Sequence, residues 1–404
     1  MATSNVKTVQ PADRAVVLED ARNLKMARSA HAYVRGNTRQ FYEWLEALAP
    51  HALPEGPAIW ICGDCHLGNL GPIGDMKGGV EIQIRDLDQA VIGNPAHDLI
   101  RLGLSLAMAA RGSDLPGVTT AAMLEQLIDG YCAGLKGTIE APDAPLPAPV
   151  HLVMKDALRR SWKHLARDRL DDVMPTVPIG KRFWKLTGDE RDAIGRLFER
   201  KSVSRLATLI GSRDDEAPVE MLDAAYWMKG CSSLGLLRYA VVLGVGDRKR
   251  GAPQYCLVDI KEAVPAAAPA YAGTAMPADH AQRVVDGARH LSPHLGDRML
   301  ATELMGRPVF LRELLPQDLK LEIEQLTREE ATQVAAFLGG IVGKAHARQM
   351  DGATALAWRA QLRKGRSKTL DAPNWLWNSV VDLVASHEAG YLQHCRRYAL
   401  RAAA

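Results

Sequence analysis

The chain has only six cysteines in 404 residues, and they lack the dense, regular spacing of secreted disulfide scaffolds. Free thiols in a reducing compartment are therefore expected. No apolar run is long enough for a membrane. The strongest, Leu99 to Ala110, falls short of the roughly 20 residues a span needs and carries Arg101. The first 30 residues lack the basic start, apolar block and small-residue cleavage site of an export signal. A cytoplasmic location follows as the expectation. Charge of one sign is lacking too: 50 basic against 47 acidic residues leave a formal +3. That balance argues against a protein built to ride on nucleic acid or on an anionic membrane, so partners must be read from sites.

What is present is ordinary globular material, 47% hydrophobic and 24% charged, in a length that suggests two lobes. Residues 13 to 48 carry helical periodicity through Leu24, Met26, Phe41, Trp44, Leu45 and Leu48, with a break at Val34 to Asn37. A short apolar run at 58–62 and the strict alternation of Val80, Ile82 and Ile84 predict strands. Residues 95 to about 210 read as mostly helical, with a Pro-rich linker at Glu140 to Val150. Between about 234 and 264 the pattern becomes a β-hairpin, followed by a helix over 279–291 and a strand at Pro308 to Leu314. From Leu326 onward it returns to helix. The fold class expected is α+β.

The stretch WICGDCHLGNL, Trp60 to Leu70, supports three incompatible chemistries. Cys-x-x-Cys-His is the pattern of covalent haem attachment, which requires export. Two cysteines could hold zinc or do redox work. Zinc, however, wants about four ligands, while Cys132, Cys231, Cys256 and Cys395 are scattered, and Gly68, Gly71 and Pro72 forbid the helix that usually follows a redox pair. Two packed thiols are the bland alternative. The third chemistry is phosphoryl transfer, which needs a carboxylate to orient the acceptor hydroxyl and ligands for Mg²⁺. Asp64 and Asn69 stand five positions apart, as the Asp and the metal-binding Asn do in a protein-kinase catalytic loop. Asp86, after an apolar strand, suits a second metal ligand, with Asp88 beside it to substitute or assist. His66 sits where such loops carry a phosphate-neutralising Lys, or it serves the loop backbone.

The run RDLDQAVIGNPAHDLIRL resembles aminoglycoside phosphotransferases and related small-molecule kinases, with Asp86, Gly93, Pro95, Asp98 and Leu99 in the matching places. Across residues 25 to 349 the chain resembles a bacterial family known as domain of unknown function 2252. It does so through KMARSAHAYVRG, WICGDCHLGNLG, KGCSSLGLLRYAVVL, LVDIKEA, QRVVDGAR and LGGIVGKAHARQ. The kinase resemblance implies a nucleotide-binding lobe. Gly230 to Gly235 resembles its Gly-rich hairpin, with Ser232 in place of the central glycine and Ser233 beside it. Lys261 resembles its strand lysine, and Asp286 on the next helix its acidic partner, with Glu262 an inferior alternative. The order of these pieces implies a circularly permuted, two-lobed kinase-like fold. Residues 1–220 and 326–404 would form a helical large lobe, and 221–325 a small antiparallel β-rich lobe.

The expected activity is ATP- and Mg²⁺-dependent phosphotransfer to a small hydroxylated acceptor, the rivals being nucleotidyl transfer and non-catalytic nucleotide binding. Lys261 should then share a cleft with Asp64, Asn69 and Asp86, and the C-terminal end of the 338–348 helix should approach Ile59. Arg35, with Lys25, is a candidate for a phosphate or acidic substrate, or for a plain ion pair. His346 reads as a packed histidine, and Trp375, Trp377 and Tyr391 as core or pocket wall.

Overall fold

The run Arg238–Val245 is apolar at nearly every position, and all eight residues are buried. A strand apolar on both faces needs cover on both faces. In the computed structural model it is β7 of a six-stranded antiparallel sheet that also holds β5 (Phe183–Trp184), β6 (Val219–Trp227), β8 (Gln254–Glu262), β9 (Met299–Leu304) and β10 (Arg307–Leu314), in the order β5-β6-β7-β8-β10-β9. The described residues are 9–137, 146–170, 176–210, 213–231, 233–246, 254–321, 326–364 and 372–399. One face of the sheet is covered by Ile194, Leu197 and Phe198 of the helix Gly188–Glu199, together with Leu18. The other is covered by Leu165, Leu170 and Val177. Residues 183–210, expected on sequence grounds to belong with the helical part, thus pack on the sheet. So does Arg14, whose guanidinium meets Glu190 at 2.6 and 2.8 Å.

The β9–β10 turn is made by Met305 and Gly306, both at positive φ (53° and 72°). That pair of left-handed conformations matches the strand twist of a two-residue hairpin. β6 and β9 are among the strands not foreseen; each mixes polar and apolar residues without the alternation that makes a strand legible.

The helical part is built round Ala96–Gly112, thirteen of whose residues are buried. Against it pack the helices Gly117–Leu135 and Asn374–His394. The helix Arg328–Ala347 lies along Gly117–Leu135 at backbone contact. A Cβ at Gly134, Gly339 or Gly343 would stand 2.2–2.3 Å from a carbonyl oxygen of the opposite helix. Only glycine allows that approach. Near the N-terminus, the expected two helices are four, the short Arg14–Val17 and then Glu19–Met26, Ala30–Gly36 and Thr38–Glu46, the last two because Ser29 and Asn37 each cap a new start. Two small ladders complete the helical part, β1 (Ile59–Ile61) with β4 (Val91–Gly93), and the hairpin of β2 (Leu70–Gly74) and β3 (Val80–Ile84). The architecture is mixed α+β with antiparallel sheets. No helix among the described residues is long and apolar enough to cross a membrane.

Candidate active site

After β1 the chain enters residues 62–69, a loop whose backbone is fixed at almost every step. Asp98 accepts from the amides of Cys62 (2.7 Å) and Gly63 (2.9 Å). Tyr42 Oη donates to the Gly63 carbonyl at 2.6 Å, and Ser105 Oγ receives the Leu67 amide at 3.1 Å. Gly63 has φ +72°, and a Cβ there would lie 2.1 Å from the Gln89 carbonyl oxygen, so no other residue fits. Asp98 is itself held from behind. Trp358 Nε1 donates to Tyr131 Oη (3.0 Å), Tyr131 meets His346 Nδ1 (2.9 Å), and His346 Nε2 lies 3.2 Å from Asp98. One donor per step places the imidazole proton on Nε2, toward Asp98. His346, expected as packing, is part of this buried chain.

The loop presents three polar side chains to a cleft of about 310 Å³. Asp64 accepts at Oδ1 from Arg101 Nε at 2.8 Å, while Oδ2 stands 4.0 Å from His66 Nε2. Arg101 is wholly buried on Ala96–Gly112 and is anchored by the Val34 carbonyl at 2.7 Å. Asn69 donates through Nδ2 to the Asp64 carbonyl at 2.9 Å, which leaves its Oδ1 for another partner. The β2–β3 hairpin then delivers Asp86 and Asp88 to the same cleft. From the other side comes β8, whose Lys261 pairs with Asp88 and lies 3.8 Å from Asp86. Burial alone would raise Asp86, but Lys261, Arg312 and Arg238 outweigh it and hold its carboxyl well below the usual carboxylate range. Burial and then the Asp86 charge push Asp88 up, against the pull of Lys261. Asp88 Oδ1 is buried with no hydrogen-bond partner.

Asp64, His66, Asn69, Asp86, Asp88 and Lys261 therefore line one cavity, as do Gly230 and Ser233. Gly230 (φ +108°) receives Lys25 Nζ on its carbonyl at 2.6 Å. Two predicted residues are placed elsewhere. Gly235 has φ +101° because Ala15 packs against it, with a Cβ there only 2.5 Å from the Ala15 Cα. Its glycine serves that contact and not the cleft. Asp286 does not reach Lys261; its carboxylate bonds to Gln282 (2.7 Å) and Arg289 (3.5 Å), both on its own helix. From that helix, His280–Leu291, it is Arg283 that touches the site, donating to the carbonyls of Asp88 and Ala90. Glu262 points to the opposite face of β8 from Lys261, toward the Leu237 amide and Arg307. Ser232 lies outside the described residues.

The cleft residues Arg238 and Arg312, and the buried Asp259 behind them, were not anticipated. Asp259 stands two before Lys261, on the same face of β8, and is gripped by Arg238 at 2.6 and 3.0 Å and by Arg312 at 3.4 Å. Charged residues inside otherwise apolar strands were the available signal. Trp375 and Tyr391 hydrogen-bond to backbone carbonyls at Leu362 and Ala27, and neither lines this cleft. Arg35 lies against the loop at Gly68, where a Cβ would approach its Cζ to 3.1 Å.

Cys62, Cys65 and Asp98 form a fully buried group with ligand atoms within 4.8 Å. Its chemistry does not suit a metal. The hydrogen bond to Cys65 and then burial push the Cys62 thiol up; the reciprocal bond would lower Cys65, but burial together with the charges of Asp98 and Asp64 outweighs it and raises that thiol too, and Asp98 is already committed to two amides. Protonated thiols are poor ligands and poor nucleophiles. Packing is what they do here. The family model described as an uncharacterised protein conserved in bacteria, domain of unknown function 2252, matches residues 14–397. No curated protein and no solved structure matches the chain.

Proposed function

The chain belongs to that bacterial family, and from that premise we propose that it is an ATP- and Mg²⁺-dependent phosphotransferase acting on a small hydroxylated molecule, with a permuted kinase-like arrangement of its two lobes. One observation carries the reading: Lys261, from the sheet, meets Asp86 and Asp88, from a hairpin 173 residues away in sequence, in the cleft that also holds Asp64 and Asn69. A bound triphosphate must touch both lobes at once.

In this reading Asp64 orients the acceptor hydroxyl through Oδ2, its other oxygen being fixed by Arg101. Lys261 contacts the phosphates, and Gly230 and Ser233 border them. Asn69 Oδ1, Asp86 and the unpartnered Asp88 Oδ1 form a hard oxygen donor set of the kind Mg²⁺ takes. Bound there, Mg²⁺ would neutralise developing charge on the phosphates. The positioning task given to Asp286 passes to Arg283, which acts on the Asp88 and Ala90 carbonyls. The permuted order draws support from Gln349, just past the helix Arg328–Ala347, whose side chain bonds the Trp60 amide (2.8 Å) and carbonyl (3.0 Å). That helix end thus abuts the strand entering the loop.

Nucleotidyl transfer is a second reading, favoured by the basic side chains of Arg238 and Arg312 in the same cleft as Asp64, which would suit a triphosphate bound in the inverted sense. The two are separated by incubating the protein, Mg²⁺ and a metabolite extract with γ-labelled or α-labelled ATP. Phosphotransfer predicts that only the γ label reaches an acceptor and that Asp64→Asn abolishes it. Label from neither position would sink both.

A further inference from the structure

The cleft is lined by nine basic side chains against three carboxylates. Some of these cations are committed, Arg238 and Arg312 to Asp259 and Lys261 to Asp88. Lys25, Arg35, Arg169 and Lys229 are different: among the described residues none has a carboxylate within 4.0 Å. They are crowded by their own kind. Burial, and then Arg238, pulls Lys229 well below its ordinary value. Burial and Arg312 lower Arg169, against the pull of Asp259. Lys25 is lowered by burial; Cys231 acts against this, while Arg28, Arg35 and Arg238 add to it. Half-buried like charges with no carboxylate at ion-pair distance repel in a medium of reduced dielectric, and an anion relieves them.

The same lining offers little to a flat, apolar base. Among the described residues of its lining only Ala32 and Cys231 are apolar, and the one ring is the His66 imidazole; Leu87, Val284 and Phe310 line an adjoining space of about 10 Å³ behind Asp86 and Lys261, too small for a base. A pocket that selects a purine normally does so with apolar walls and a few placed polar groups. Behind this wall the buried Asp259, two before Lys261 on the same strand face, is clamped by the guanidiniums of Arg238 and Arg312, which do line the cleft. Guanidinium forks match phosphate oxygens.

We infer that the cleft recognises its donor by the phosphate chain and not by the base, so that Mg²⁺ complexes of any nucleoside triphosphate, and of inorganic triphosphate itself, bind alike. This rests on the reading of the cleft as a triphosphate site, and it adds where the selectivity lies. Arg169 and Lys229 grip the chain from the sheet side, Lys25 and Arg35 from the N-terminal helices, and the base contributes little.

The test is calorimetric titration of the full chain, in Mg²⁺, with ATP, GTP, UTP and inorganic triphosphate, and with adenosine as competitor. The four Kd values are expected to agree within about threefold, well under 1 kcal/mol, and adenosine is expected not to compete. Arg169→Gln and Lys229→Met should each weaken all four by a common factor of about ten, the loss of one charge-assisted contact. ATP binding ten or more times tighter than inorganic triphosphate, or competition by adenosine, would overturn the inference while leaving the triphosphate site standing. Failure of all four to bind would overturn both. The comparison of ligands on the unaltered protein stands even if a variant does not fold.

Discussion

The two walls of the cleft are built on opposite principles. On the helical side, the loop 62–69 has its amides and carbonyls held by Asp98, Tyr42 and Ser105, and Asp64 is tied to a buried arginine. On the sheet side, basic side chains face the cavity with charge to spare. The loop's backbone is satisfied by the protein itself; the cations Arg169 and Lys229 have no carboxylate at ion-pair distance among the described residues and, on the proposed reading, would be satisfied by a ligand. The contrast teaches where each kind of mutation should act. Damage to the first wall should cost stability, and damage to the second should cost binding.

The largest effect is expected from Asp98→Ala, which strands two buried amides and cuts the chain to His346 and Tyr131. Losing a buried, multiply bonded carboxylate costs about 3–5 kcal/mol, visible as a lowered urea midpoint. A midpoint within error of wild type would blur the distinction between the walls. Next comes acid. Burial brings His97 and His387 down to about 4. As pH falls below about 6.5 the unfolded chain takes up these protons while the native protein resists until near 4. Stability should therefore drop through that window by about 1.4 kcal/mol per pH unit for each histidine. Urea titrations at pH 7 and pH 5 check it, and His387→Phe should flatten the dependence. Smaller again is Gly343→Ala, whose methyl would press on the Tyr131 carbonyl; overpacking of this kind costs about 1–3 kcal/mol. At the low end, Asp286→Ala removes only contacts within its own helix, and a surface change of that sort stays within about 0.5 kcal/mol. A collapse of transfer activity in Asp286→Ala would restore it as the partner of Lys261.

What was legible in the sequence was local. Asp64 and Asn69 are five residues apart on one loop, Asp86 ends an alternating strand, and Lys261 closes an apolar one, so spacing alone could mark them. What was hidden depends on contacts between distant segments. Asp98 opens a helix and looks like an ordinary helix start, yet its work is on amides 35 and 36 residues earlier. Arg101, inside an apolar helix, gave no sign that it would hold Asp64. Asp286 was assigned by its place after Lys261, but a helix has several faces, and Arg283 occupies the one turned to the site. Asp259, next but one to Lys261, could have been read from strand periodicity, since residues i and i+2 share a face.

The central claim is that Lys261, Asp86 and Asp88 form one metal–triphosphate centre across the two walls, and thermal unfolding with ATP tests it most directly. A ligand bound only by the native state raises the midpoint through RT ln(1 + [L]/Kd). ATP with Mg²⁺ should raise the wild-type midpoint, ATP with a chelator should do so far less, and Asp86→Ala should lose most of the Mg²⁺-dependent part while folding normally. An Asp86→Ala protein with an undiminished Mg²⁺-ATP shift would contradict the account.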